Sequence, residues 1–229
     1  ATHQLEHFKW AAARQAWATL RAPKTDASVL PGTAPAAGSA HAALVLRDNV
    51  RNRSRIEQAY RKAIGNAQYE VLLANAYFLP SGKLRRALVH AARRGVRVRL
   101  LLQGRYEYFM QYHAARPVYG ALLAAGVEIH EDTHSFLHAK VAVVDGQWAT
   151  VGSSNLDPLS LLLAREGNVV VQDAAFAATL KERLELAMKE HGRVLDPVAY
   201  ATRPLHQRFL DGVAYSLMRA MLFLTGRRY

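Results

Sequence analysis

The 229-residue sequence contains no cysteine, which excludes disulfides and thiolate metal sites but does not fix a compartment. No apolar run reaches the 18 or more residues of a membrane-spanning helix, and we find no signal-peptide pattern. Acidic residues are scarce, with 18 Asp and Glu against 30 Lys and Arg, a net charge of +12. Such a surface favours phosphate-rich partners, either an anionic membrane or nucleic acid, and composition does not choose between them. A chain of this length suits one large domain or half of a two-lobed enzyme.

What is present alternates between helical and strand patterns. Leu5, Phe8, Ala12 and Ala16 predict a helix over 1–20, and residues 22–41, rich in Ala, Pro, Gly, Ser and Thr, read as a linker. A strand is expected at 43–46. Four arginines follow (Arg47, Arg51, Arg53, Arg55), read either as a solvated turn or as a patch for lipid headgroups. Ser54 and Glu57 have the spacing of a capping box for a helix to about Ala67. A buried strand over 69–76 ends on Tyr77-Phe78-Leu79-Pro80, and ligands of open α/β sheets bind outside such ends. Tyr77 and Phe78 therefore either line a substrate pocket or simply pack. A helix from Ser81 to Arg94, Gly95, and a strand over 96–102 continue a βαβ rhythm. Residues 106–119 carry four tyrosines, Phe109, His113 and Arg116, read as a lipid entrance or as a helix packing its aromatic face on the core. A strand at 127–130, a helix at 174–190 and a helix at 205–224 complete the pattern, the last with flanking arginines that suit either a bilayer surface or the sheet.

The most informative stretch is 138–157, HAKVAVVDGQWATVGSSNLD. Lys140 to Val144 reads as a strand, Asp145-Gly146 as a tight turn and Trp148 to Val151 as the returning strand. Alternate side chains of a strand share a face, so His138 and Lys140 point the same way. Gly152 permits a close turn that presents Ser153 and Asn155 to the same place. An ammonium, neutral donors and an imidazole beside one pocket are suited to phosphate chemistry.

The uninterrupted H-x-K-x4-D-x6-G-S-x-N pattern resembles the phospholipase D superfamily, and WATVGSSNLDPLSL and ANAYFLP resemble the C-terminal half of its bacterial cardiolipin synthases, over about Leu44 to Met188. The resemblance implies an α/β fold, a phospholipase D-like lobe with a mixed, mostly parallel sheet flanked by helices on both faces. It implies that His138 is the motif histidine, that Lys140 and Asn155 bind phosphate with support from Ser153, and that Glu166 hydrogen-bonds the histidine. Asp145 joins this catalytic set as an organiser of the loop more than a participant in chemistry. Gly167 stands where such proteins usually carry Ala. The expected segments are a helix at 1–21 closing a first lobe upstream, a linker at 22–42, the catalytic lobe at 43–192, and a basic amphipathic segment at 193–229.

The implied activity is phosphatidyl transfer to phosphatidylglycerol through a phosphohistidine, at the surface of a bacterial cell membrane. Only one motif is present: His7-Phe8-Lys9 is also H-x-K, but Arg14 stands where the Asp belongs. A second motif-bearing lobe or a second copy of the chain is therefore expected as partner. His130, Glu131, Asp132 and His134 are metal-binding residue types at a strand end. The chemistry needs no metal, and neither a metal nor another cofactor is expected. The alternatives are a homodimeric phosphodiesterase acting on nucleic acid and a membrane-binding remnant without activity, nucleic acid being the less favoured partner.

Overall fold

The fold is seen in a computed structural model that describes residues 40–47, 52, 54–105, 108–157 and 165–224. The chain divides into two units, 1–38 and 39–229, and the described residues belong to the second. The helix expected at 1–20 and nearly all of the linker lie outside the described residues, as does the apolar stretch 159–164.

Eight strands form one sheet. They are β1 (His41–Arg47), β2 (Glu70–Asn75), β3 (Arg97–Gln103), β4 (Glu128–Asp132), β5 (Lys140–Val144), β6 (Trp148–Gly152), β7 (Glu166–Gln172) and β8 (Gly192–Val194), in the order β1-β7-β6-β5-β2-β3-β4-β8. The sheet is mixed, as expected, but not mostly parallel. Only β2–β3 and β3–β4 are parallel, while the other five pairings are antiparallel. The reason lies in the connections: two βαβ crossovers build the parallel half, whereas β5–β6 is the one tight hairpin among the antiparallel pairs described, and β1–β7, β2–β5 and β4–β8 join strands far apart in the chain, a distinction that runs of buried Val and Leu do not reveal.

Helices cover both faces. α1 (Arg55–Asn66), α2 (Gly82–Arg93), α3 (Phe109–Leu123) and α6 (Leu205–Leu224) pack on one side, where Ile56, Tyr60, Leu84, Leu88, Leu122 and Leu222 join Leu73, Leu100 and Leu102 in the larger core. α4 (Ala174–His191) covers the other side, with Ala177, Leu184 and Met188 against Leu72, Leu101 and Val143. The short α5 (Pro197–Ala201) adds Tyr200 to the larger core. β8, α5 and α6 thus belong to the lobe, so residues 193–224 are not a separate C-terminal segment: β8 pairs with β4, and Met218 and Leu222 are core residues.

Two local expectations change. The capping box at Ser54 does not form: Gln58 Nε2 donates to the Ser54 hydroxyl at 2.8 Å, and Glu57 instead accepts from Ser81 Oγ at 2.6 Å, tying α1 to α2. The arginine patch is divided: Arg47 is only 2% exposed at the end of β1, opposite Glu166, whereas Arg55 is exposed. Arg51 and Arg53 lie outside the described residues.

Candidate active site

β5 and β6 form the expected hairpin. Asp145 and Gly146 have φ of 51° and 62°, and Gln147 N–H donates to Val144 O at 3.1 Å, the geometry of a type I′ turn. The Asp145 carboxylate accepts from the backbone N–H groups of Gln68, Tyr69 and Glu70 at 2.8–2.9 Å. It therefore fastens the entry of β2 to the hairpin tip. Asp145 lies five residues beyond Lys140, about 16 Å at an extended rise of ~3.3 Å per residue. It organises the fold and sits at the opposite end of β5 from Lys140.

The chemistry-bearing groups gather at the other end of β5. Lys140 Nζ donates to His138 Nε2 at 2.9 Å and to the His138 carbonyl at 3.3 Å. An ammonium has donors only, so this contact engages the lone pair of an unprotonated Nε2. Lys140 is 5% exposed, and His138 is exposed. Burial lowers the Lys140 pKa below its ordinary 10.5, partly offset by the negative charges of Glu166 and Asp157.

Glu166 does not reach His138 as the resemblance implied. It is half-buried as the first residue of β7, and its carboxylate accepts from the Ser153 hydroxyl, which in turn accepts from Gly167 N–H at 3.2 Å. The reason is the β6–β7 pairing, which aligns Gly152 with Asn168 and so sets Ser153, just past the end of β6, beside Gly167 and Glu166 at the start of β7. Gly152 is required there: a Cβ would sit 2.3 Å from the Asn168 side chain. Asn168 in turn receives Ser154 N–H at 3.4 Å and donates to Thr150 Oγ1 at 3.3 Å.

The loop carrying Asn155 is zipped to the end of β2. Leu156 N–H donates to Asn75 Oδ1 at 3.1 Å, and Leu79 N–H donates to Leu156 O at 2.8 Å. Asn75 stands opposite Lys140 in the sheet, so Asn155, 8% exposed, is held at the same strand ends as the His138–Lys140 pair. Beside this lies a narrow cleft of about 50 Å³ whose walls include Tyr77, Phe78, Tyr108, Tyr112, Arg116 and Asp157. Tyr77 and Phe78 thus line a pocket, and α3 turns tyrosines into it while also packing Tyr119 in the core. Arg116 is buried in the wall: burial works against its charge, but Glu131 at 2.5 Å together with Tyr119, Tyr112 and Tyr200 more than offsets that.

Sequence reasoning missed Asn75, Gln103 and Asp157. Gln103 Oε1 accepts from Leu137 N–H at 3.3 Å and so holds the segment leading to His138. A signal existed, since Asn75 and Gln103 are polar residues that follow the apolar runs of the parallel strands β2 and β3. The metal-type cluster has other duties. His130 Nε2 lies 2.5 Å from Glu128, Glu131 pairs with Arg116 and Arg193, and Asp132 accepts from the backbone of His134 and Ser135. Among the described residues no group of three or more His, Asp or Glu is placed to hold a metal.

A histidine and a buried lysine thus meet at the C-terminal ends of the parallel strands of an α/β lobe, beside a tyrosine-lined cleft. The chain belongs to the family described as cardiolipin synthase, PLD-like domain, which matches residues 60–187. It is 44% identical over 189 residues to cardiolipin synthase B of Shigella flexneri, covering 82% of this chain and 46% of that protein. It is 46% identical over 148 residues to cardiolipin synthase B of Salmonella typhi, covering 65% and 36%. The chain thus spans less than half the length of these relatives. Its fold is similar to the phospholipase D family member Nuc of Salmonella typhimurium, with a TM-score of 0.58 and 21% identity over 68% of this chain and 98% of that one.

Proposed function

We propose that this chain is one catalytic lobe of a cardiolipin synthase-like phosphatidyl transferase, acting at the surface of a bacterial cell membrane. The observation that supports it is the contact of Lys140 Nζ with His138 Nε2 beside the tyrosine-lined cleft, in a chain of this family. The reaction uses two motif histidines, His138 and one from a second lobe or a second copy. One attacks the phosphorus of the donor phospholipid through its ring nitrogen, and the phosphorus–oxygen bond to the headgroup breaks. The other gives its proton to that alkoxide, then removes the proton of a phosphatidylglycerol hydroxyl. The resulting oxygen attacks the phosphohistidine and cleaves the nitrogen–phosphorus bond. With phosphatidylglycerol as donor the products are cardiolipin and glycerol.

In this reading Lys140 has two states. At rest it occupies the Nε2 lone pair. When a phosphate enters, the ammonium turns to the phosphate oxygens, releases that lone pair and stabilises the charge of the transferring group. Asn155 adds a neutral donor, and Glu166 holds the Ser153 hydroxyl instead of the imidazole.

The test is mass spectrometry of phosphatidylglycerol vesicles incubated with the chain, alone and with the N-terminal lobe of the Shigella flexneri relative, beside a His138→Ala control. Cardiolipin and glycerol formed in either case, and absent from the control, are the expected result. Neither product in both cases, or products unchanged by His138→Ala, overturns the reading.

A further inference from the structure

α6 carries apolar residues on two sides. Its inner side is buried through Asp211, Ala214, Met218 and Leu222. Asp211, the only acidic residue of the helix, faces inward, where it pairs with His113 at 2.7 Å and Arg203 at 3.2 Å. The outer side repeats Leu205, Phe209, Val213, Leu217 and Met221 at a spacing of four, and all five are exposed, Leu205 by 77% and Phe209 by 75%. A surface helix normally turns a polar face outward, and an uncovered apolar arc of this length calls for a second apolar phase.

On the α2 side of that arc the charge has one sign, whereas Asp196 lines the cleft on the other side with Arg203 and Gln207. Arg208 and Arg219 are exposed along α6. A cleft between α6 and α2 is lined by Leu79, Arg85, Arg86, Met218 and Arg219. It shares Leu79 and Met218 with the tyrosine-lined cleft of the site. Arg86 also lines a groove between α1 and α2 with Arg61, Lys62, Lys83 and His90, and no carboxylate lines that groove. An apolar arc bordered along its α2 side by cations is complementary to an anionic bilayer, which offers acyl chains beneath a layer of phosphates. It is a poor match for a second copy of itself, which would set arginine against arginine.

We propose that α6 and this basic rim form a docking surface for an anionic phospholipid bilayer. Leu205, Phe209, Val213, Leu217 and Met221 seat at the acyl boundary, and Arg85, Arg86 and Arg219 meet lipid phosphates. The clefts that share Leu79 and Met218 then lead from the docked surface towards the catalytic strand ends. The surface locates the membrane contact of the transferase reading, but it would bind a bilayer whether or not the chain transfers phosphatidyl groups.

The test is co-sedimentation of the full chain with vesicles of phosphatidylglycerol and phosphatidylcholine, against phosphatidylcholine alone. Binding is expected to require phosphatidylglycerol and to fall with salt. Phe209→Ser with Leu217→Ser should weaken it at least tenfold at an unchanged thermal midpoint. As the chain has no cysteine, Phe209→Cys also allows a single environment-sensitive dye, whose emission should shift to the blue on vesicles containing phosphatidylglycerol. Unchanged vesicle binding by the double variant, or a dye that stays in water while the protein sediments, overturns the proposal. So does a wild-type dimer that the double variant converts to monomer without loss of vesicle binding, which would assign the face to a second copy. Docking without cardiolipin formation leaves this surface standing and counts only against the transferase reading.

Discussion

Lys140 Nζ stands 2.9 Å from His138 Nε2, close enough that a hydrogen bond ties the two side chains together. His138→Ala removes the nucleophile or acid and should abolish turnover. Lys140→Met leaves the imidazole but loses the charge facing the phosphate, and should cost about 10²- to 10³-fold in turnover, the scale of one lost transition-state donor. Steady-state assays of the two variants check this, and near-normal activity in either removes that residue from the proposed chemistry.

The alkaline side of the pH profile should carry the mark of Lys140. Burial lowers its pKa, so its charge is present at lower pH and is lost as pH rises through a value below the ordinary 10.5. kcat/KM should therefore decline before a solvent-exposed lysine would titrate. In Lys140→Arg the guanidinium keeps its charge, so that decline should disappear at a lower plateau. A profile of kcat/KM against pH for both proteins decides.

Ser153 and Glu166 should behave as one unit. Ser153→Ala and Glu166→Gln each disturb the same hydrogen bond, so each is expected to lower turnover by a smaller factor than His138→Ala. The double variant should then be scarcely worse than the poorer single one, a coupling of about 0.5–3 kcal/mol in a double-mutant cycle. Independent, multiplying losses would return Glu166 to the histidine.

Asp145→Ala should separate structure from chemistry. It deletes the acceptor of three backbone N–H groups and leaves Ala at a φ of 51°, so a loss of roughly 2–4 kcal/mol of stability is expected. Turnover per folded molecule should stay close to wild type, because the hairpin tip is far from His138. Denaturant melts and active-site-normalised rates read the two effects separately.

Much of this was legible in the sequence because it is local. The β5–β6 hairpin, the shared face of His138 and Lys140, the start of α2 after Ser81 and the span of α6 all follow from period, turn chemistry and spacing. What escaped depends on residues distant in the chain. The antiparallel majority of the sheet is set by which strands neighbour one another. The partner of Glu166 is set by the β6–β7 register, and the hold of Asn75 on Leu156 bridges 81 residues. The burial of Arg47 likewise depends on β7, which no pattern near Arg47 announces.

The pairing of β1 with β7 also bears on how the molecule comes into being. His41 meets Gln172 and Arg47 meets Glu166, so the first strand of the sheet pairs with one made more than a hundred residues later. Such distant pairings close late, after the local βαβ and hairpin units can have formed. As the chain leaves the ribosome, β1 must wait, unpaired on that side, until β7 emerges. Glu166 arrives with β7, so the edge of the sheet and the Ser153–Glu166 side of the site are completed in the same step.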